Sequence, residues 1–194
     1  MEITTAAIKQ LRDETGISVM QCKKALEEAE GDMAKAAVIL KKKRHEAAAK
    51  KSDRTLDAGC VGVYVHNTNE IAAVVVLASE TDFVSKNEEF VALAREIAMH
   101  VAAANPQYLS RDDIDAVTLE NAKAVFTEEV KDKPADMQQK ILEGKLQAYF
   151  QDQILLEQPF VKNPELTIGE MVSGAVQKFG ENVSIARFER VAVK

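Results

Sequence analysis

Apolar positions recur with helical spacing through the first fifty residues, and glycines interrupt them. Ile8 and Leu11 share one side of a first helix that Thr4 or Thr5 can cap and that ends before Gly16. Ser18 followed by Gln21 has the form of a capping box for a second helix, which carries Cys22, Ala25, Leu26 and Ala29 and stops at Gly31. Asp32 can cap a third, with Met33, Ala36, Ala37 and Leu40 at helical spacing. Three short helices with connections this brief predict a compact bundle that buries little apolar area by itself. From Lys41 to Arg54 the chain is basic and Ala-rich, which predicts a continuation of the third helix and then a tether. Such a run is ordinarily a solvated face; contact with a partner or with RNA is the other reading.

After Gly59 the period changes to two. Val61, Val63 and Val65 alternate with Gly62, Tyr64 and His66, Asn67-Thr68-Asn69 supplies a turn, and Ile71 to Leu77 forms a second run, apolar on both faces. A β-hairpin follows, whose second strand belongs in the middle of a sheet. Helical spacing returns from Ser85 to Ala104 (Phe90, Val91, Ala94, Ile97, Ala98, Val101) and ends at Asn105-Pro106. Stretches near 118–131 and 135–156, joined by Asp132-Lys133-Pro134, predict an antiparallel helical hairpin over about 118–157. Thr167 can cap a helix reaching Phe179 and ending at Gly180, and Val183 to Val193 reads as a last strand. The expected fold class is α+β: a three-helix module with its basic linker over 1–54, then a core over 55–194. That core has a three-stranded antiparallel sheet, packed helices and the helical hairpin.

Composition narrows the chemistry. Of 194 residues 46% are apolar but only 5% aromatic, with no Trp, so the core is built from Ala, Val, Ile and Leu. A net charge of −6 argues against a general nucleic-acid binder, whose affinity comes from neutralising phosphates. Two cysteines, Cys22 and Cys60, cannot form a secreted disulfide framework and read as reduced thiols. The start of the chain lacks the pattern of a signal peptide, and no window has the roughly 18–20 consecutive apolar residues of a membrane helix, so cytoplasm is expected. Neither Walker spacing nor a dinucleotide fingerprint occurs, and His45, His66 and His100 lack paired ligand spacing. No cofactor and no metal are expected. An enzyme would have to use Cys22 or Cys60 with a histidine, and nothing marks either thiol as activated. The inventory suits a binding protein.

Two longer segments carry a resemblance. Leu11-Arg12-Asp13-Glu14-Thr15-Gly16-Ile17-Ser18-Val19-Met20-Gln21-Cys22-Lys23-Lys24-Ala25-Leu26 resembles the N-terminal signature of the elongation factor Ts family, although the family often has two small or methionine-type residues where Val19-Met20 stand. Glu80-Thr81-Asp82-Phe83-Val84-Ser85-Lys86-Asn87-Glu88-Glu89-Phe90 resembles its Thr-Asp-Phe-Val motif. Ile97-Ala98-Met99-His100-Val101-Ala102-Ala103, Gln158-Pro159-Phe160-Val161 and the region of Arg187-Phe188 add to it, in order along nearly the full chain.

The resemblance implies a nucleotide exchange factor that makes elongation factor Tu release GDP, with no catalytic residue of its own. It implies that 1–54 is a ubiquitin-associated-like module docking on the nucleotide-binding domain, with Arg12 and Met20 as candidate docking residues and with Lys23 and Lys24 either solvated or meeting acidic groups of the partner. Asp82 and Phe83, flanked by Thr81 and Val84, would wedge near the partner's magnesium and phosphate site; His100 is an interface candidate that reads equally as a satisfied core histidine. Many members have two core subdomains and this chain has room for one; the short form implies a homodimer. The rival is a ubiquitin-associated-like adaptor without exchange activity, followed by the thiol enzyme and by RNA binding through Lys41–Lys51.

Overall fold

The computed structural model describes residues 3–132 and 134–193; Met1, Glu2, Lys194 and Lys133, the middle of the expected Asp132-Lys133-Pro134 connection, lie outside the described residues. In chain order the elements are α1 (Thr5–Thr15), α2 (Val19–Glu28), α3 (Met33–Ala49), β1 (Ala58–Val65), β2 (Ile71–Ser79), α4 (Asp82–Ser85) and α5 (Glu88–Ala104). There follow α6 (Ala116–Val130), α7 (Ala135–Gln151), β3 (Pro159–Phe160), β4 (Asn163–Thr167), α8 (Ile168–Phe179) and β5 (Val183–Ala192). The fold is α+β, as the sequence pattern predicts.

Local chemistry sets the first three helices. The side chains of Thr4, Ser18 and Asp32 accept the backbone N–H groups of Ala7, Gln21 and Lys35 at 3.2, 3.4 and 3.0 Å, each satisfying a donor that a helix start leaves open. The Gln21 side chain, expected to complete a capping box, turns elsewhere: its Oε1 accepts from Gln177 Nε2 at 2.6 Å. Leu11, Leu26 and Leu40 meet with Cys22, Ala25 and Ala36 in one buried cluster.

The sheet has the order β1-β2-β5, which puts β2 in the middle, where a run apolar on both faces belongs. The His66 N–H donates to Ile71 O at 2.8 Å across the β1–β2 turn, and the Val193 N–H donates to Glu70 O at 3.0 Å, so the end of β5 meets the start of β2 and the strands run antiparallel. Gly59 permits the closest part of this pairing: a Cβ there would stand 2.7 Å from Leu77 O.

Two helices differ from their expected bounds. The helix expected from Ser85 starts at Glu88, because Asn87 Oδ1 accepts the Glu89 N–H at 2.9 Å and opens it afresh, leaving α4 as a separate turn. The helix expected to reach residue 156 stops at Gln151; beyond it the N–H groups of Leu155 and Leu156 donate to Tyr108 O and Leu109 O at 2.8 and 3.2 Å. The small antiparallel pair β3–β4 was not anticipated.

The described residues form two compact units, one drawn from 1–62, 76–94 and 170–186, the other from 63–75, 95–169 and 187–194. Within the first, α3 is tied to α8 by the Lys41–Glu170 ion pair, and Phe90 meets Phe179 edge to face with centroids 5.7 Å apart. Within the second, Phe126 on α6 packs against Tyr149 on α7 with centroids 5.5 Å apart, and Lys145 pairs with Glu129 at 2.6 Å.

The helical cluster is small, so its leucines matter individually. Leu26→Ala is expected to cost about 3 kcal/mol through lost burial and the cavity left behind, read as a lower urea midpoint for loss of helical circular dichroism.

Candidate partner-binding site

Strand β2 ends at Ser79, and the next six residues build an unusual corner. The Ser79 hydroxyl donates to Thr81 O at 3.0 Å, and Thr81 in extended conformation leads into the single turn α4. Its N–H and hydroxyl both donate to the carboxylate of Glu181, at 3.0 and 2.6 Å. The hydroxyl therefore does not cap α4, the usual use of a threonine there. Glu80 accepts the Asn182 N–H at 2.5 Å and Arg54 Nη1 at 3.2 Å. The first of these contacts, then the second, holds its carboxyl below the usual carboxylate range.

The turn has an inside and an outside. Val84 and Ser85 are buried, and the Ser85 hydroxyl donates to Asp82 O at 3.2 Å. Phe83 faces away and is 87% exposed. Asp82 beside it is exposed and takes Lys86 Nζ at 2.6 Å; that ammonium holds its carboxyl below the ordinary value. A phenyl ring therefore stands in water next to a carboxylate, an apolar group left unburied at a defined corner. Folding alone gives no reason to leave it there.

The remaining residues singled out by the resemblance divide. Arg12 on α1 is exposed; on α2, Met20 is 70% exposed and Lys23 is exposed, 3.8 Å from Glu27. Val19 next to Met20 is exposed as well. Val84 and His100 are inside. His100, in the second compact unit, is 1% exposed. The Val161 N–H donates to its Nδ1 at 3.3 Å, so the ring proton is on Nε2 and goes to Gln158 Oε1 at 2.8 Å, while Gln158 Nε2 donates to Asp152 O at 2.6 Å. Every polar atom of that imidazole is occupied, and in this conformation it supports the β3 segment without facing a partner. Thr81 is occupied in the same way, both of its donors being spent on Glu181.

Cys22 is fully buried, its Sγ donating to Ile17 O at 3.6 Å, and burial pushes the half-buried Cys60 thiol up, away from the thiolate that a nucleophile needs. The basic run is largely committed: Lys41 to Glu170, Lys43 to Glu28 at 2.5 Å, Lys42 to Glu46 at 3.9 Å, Lys51 to Gly180 O at 2.7 Å and Arg54 to Glu80. Arg44, read as part of a solvated face, is buried; its Nη2 donates to Thr15 O at 3.3 Å. Among the described residues no group of three or more His, Cys, Asp or Glu is placed to hold a metal ion, and no helix is long and apolar enough to cross a membrane.

The sequence reading missed Glu80, Glu181 and Asn182. Glu181 and Asn182 follow the helix-ending Gly180, a position that reads as turn, and no local pattern signals that they reach residues about a hundred positions away.

The Elongation factor TS family profile matches residues 33–193. Proteins named Elongation factor Ts from Alkaliphilus oremlandii and Alkaliphilus metalliredigens are 43% and 44% identical over 195 residues, covering 100% of this chain and 90% of theirs. The protein of that name from Thermodesulfovibrio yellowstonii is 44% identical over 194 residues, covering 100% of this chain and 97% of its own. The match of these relatives extends to residues 1–32, which the family profile leaves out.

Burial lowers the His100 pKa from its ordinary 6.5, partly opposed by the Gln158 acceptor. The unfolded chain therefore takes up this proton first as pH falls: the contribution to stability is complete above pH about 6.5 and is lost progressively below it. Urea midpoints measured between pH 7.5 and 5 are expected to fall over that window, and to fall less in His100→Asn, whose carbonyl still accepts from Val161 but which does not titrate.

Proposed function

This chain belongs to the elongation factor Ts family, which makes it a translation elongation factor, and we propose that it accelerates release of GDP from elongation factor Tu. The observation that carries the reading is Phe83, fully presented to solvent on a braced turn beside Asp82. The ring inserts between elements of the partner near its magnesium and phosphate site, and Asp82 accepts hydrogen bonds from partner N–H groups. These contacts stabilise a partner conformation that holds GDP poorly. Linkage then requires that GDP weaken binding of this chain by the same factor, so incoming nucleotide displaces it. No bond is made or broken, and the reading requires no nucleophile, acid, base or cofactor.

Residues 1–54 serve in this proposal as a ubiquitin-associated-like docking module, with Arg12, Met20 and Lys23 outward on α1 and α2. Thr81, Val84 and His100, given by the resemblance as contacts, act through support. The partner-facing core is 55–194, working in the cytoplasm as a homodimer. The outward valines Val61, Val63 and Val65 on β1, an edge strand, favour a second copy over water. An adaptor without exchange activity would leave the exposed ring of Phe83 without a use.

Stopped-flow release of a fluorescent GDP from elongation factor Tu tests this. Acceleration by the parent protein is expected, reduced by about tenfold or more in Phe83→Ala, the effect of truncating a central aromatic anchor. No acceleration by the parent at any concentration would sink the exchange reading.

A further inference from the structure

A four-residue helix has almost no stability of its own, because nucleation fixes several residues for few hydrogen bonds. The orientation of Phe83 must therefore be imposed from outside α4. The two contacts of Glu181 do this at the residue just before it: one carboxylate takes both the N–H and the hydroxyl of Thr81, fixing the backbone and the rotamer together. Glu181 reaches this place from the tight turn after α8, which Gly180 opens with φ 75.

Its neighbour closes a ring. The backbone N–H of Asn182 donates to Glu80, the side chain of Arg54 donates to the same carboxylate, and the buried Asn182 amide donates back to Arg54 O at 3.0 Å and to Ser52 O at 3.3 Å. The tether that leaves α3 and the base of the Phe83 turn are thereby held by the same two residues. Within this unit Lys51 adds a bond to Gly180 O.

We propose that Glu181, together with Asn182 and Glu80, forms a positioning brace that sets how Phe83 is presented to the nucleotide-binding partner. The proposal rests on the reading of Phe83 as the ring that drives exchange. Glu181 touches neither partner nor nucleotide; it acts through Thr81. Removing the carboxylate takes away the partner of both Thr81 donors, so the residue leading into α4 loses its anchor, the turn opens more often and the ring is no longer presented in one direction.

The test uses the full chain and Glu181→Ala, Glu181→Gln, Phe83→Ala and the double variant Glu181→Ala/Phe83→Ala. Two measurements are made: GDP release from elongation factor Tu, and amide hydrogen exchange of residues 82–86 in the protein alone. Glu181→Ala is expected to slow partner-stimulated release by about tenfold, the scale of misplacing a contact group. It should also speed amide exchange of the turn, with thermal unfolding little moved. Glu181→Gln, whose Oε1 can accept the Thr81 N–H while its Nε2 donates to the Thr81 hydroxyl oxygen, should restore release to within about twofold of the parent. In the Phe83→Ala background the loss caused by Glu181→Ala should almost vanish, since there is no ring left to position. Equal losses with and without Phe83, or unchanged amide exchange in Glu181→Ala, would overturn the brace. If the parent does not stimulate release, the exchange reading fails, and amide exchange alone decides the brace: faster exchange of 82–86 upholds it and unchanged exchange removes it.

Discussion

The middle strand is the constraint from which the site hangs. β2 is paired along both edges and buries Ala73, Val75 and Leu77, each on the order of 1–3 kcal/mol of apolar burial. A strand held in this way cannot slip without exposing that row, because a shift of one residue sends it to the opposite face. Its end at Ser79 is consequently a fixed point, and the corner Glu80-Thr81 starts from it. Leaving a phenyl ring in water forgoes about 2 kcal/mol of possible burial. The structure can carry that loss because the strand behind it and Val84 beneath it are secured independently.

What was legible in the sequence was what local chemistry decides. Thr4, Ser18 and Asp32 cap the helices they were expected to cap, since a side chain and an N–H three residues apart need no distant help. The centre of the sheet was legible because a run apolar on both faces suits the middle position, although only one face is fully covered: Val75 is 0% exposed and Val74 36%. What escaped was decided at long range. The end of α7 is set by carbonyls at Tyr108 and Leu109, the β3–β4 pair by a segment that reads as proline-punctuated loop, and the burial of Arg44 by the helix it packs beside. The Gln21 side chain left its expected capping role for Gln177 for the same reason.

The site shows the same division. The exposed ring of Phe83 and the outward Met20 were named from motifs, but a motif does not say which of its residues face out. Thr81, Val84 and His100 belong to the same stretches of resemblance, and in the structure each is turned inward or spent on an internal partner. A residue that holds a contact in place and a residue that makes it leave the same mark on a sequence. Only hydrogen-bond bookkeeping separates them: His100 has both nitrogens satisfied, whereas the Phe83 ring has no internal counterpart for its 87% exposure.

Asp82 occupies a middle position, and magnitudes decide its availability. It is paired with Lys86 at 2.6 Å, but the two side chains are 73% and 76% exposed, so water and salt compete for both. Such a pair opens readily when a better-desolvated set of N–H donors is offered. Behind it Asn182 is buried, and Glu80 and Glu181 each take two donors, so release there breaks two hydrogen bonds at once. The corner therefore combines a base that is costly to move with a tip whose groups are cheap to release. Association loses less entropy when the binding group is already ordered, and loses little interaction when the contacts to be surrendered are weak. In the proposed complex the turn anchored at Thr81 and the lightly held carboxylate of Asp82 next to it serve these two conditions in adjacent residues.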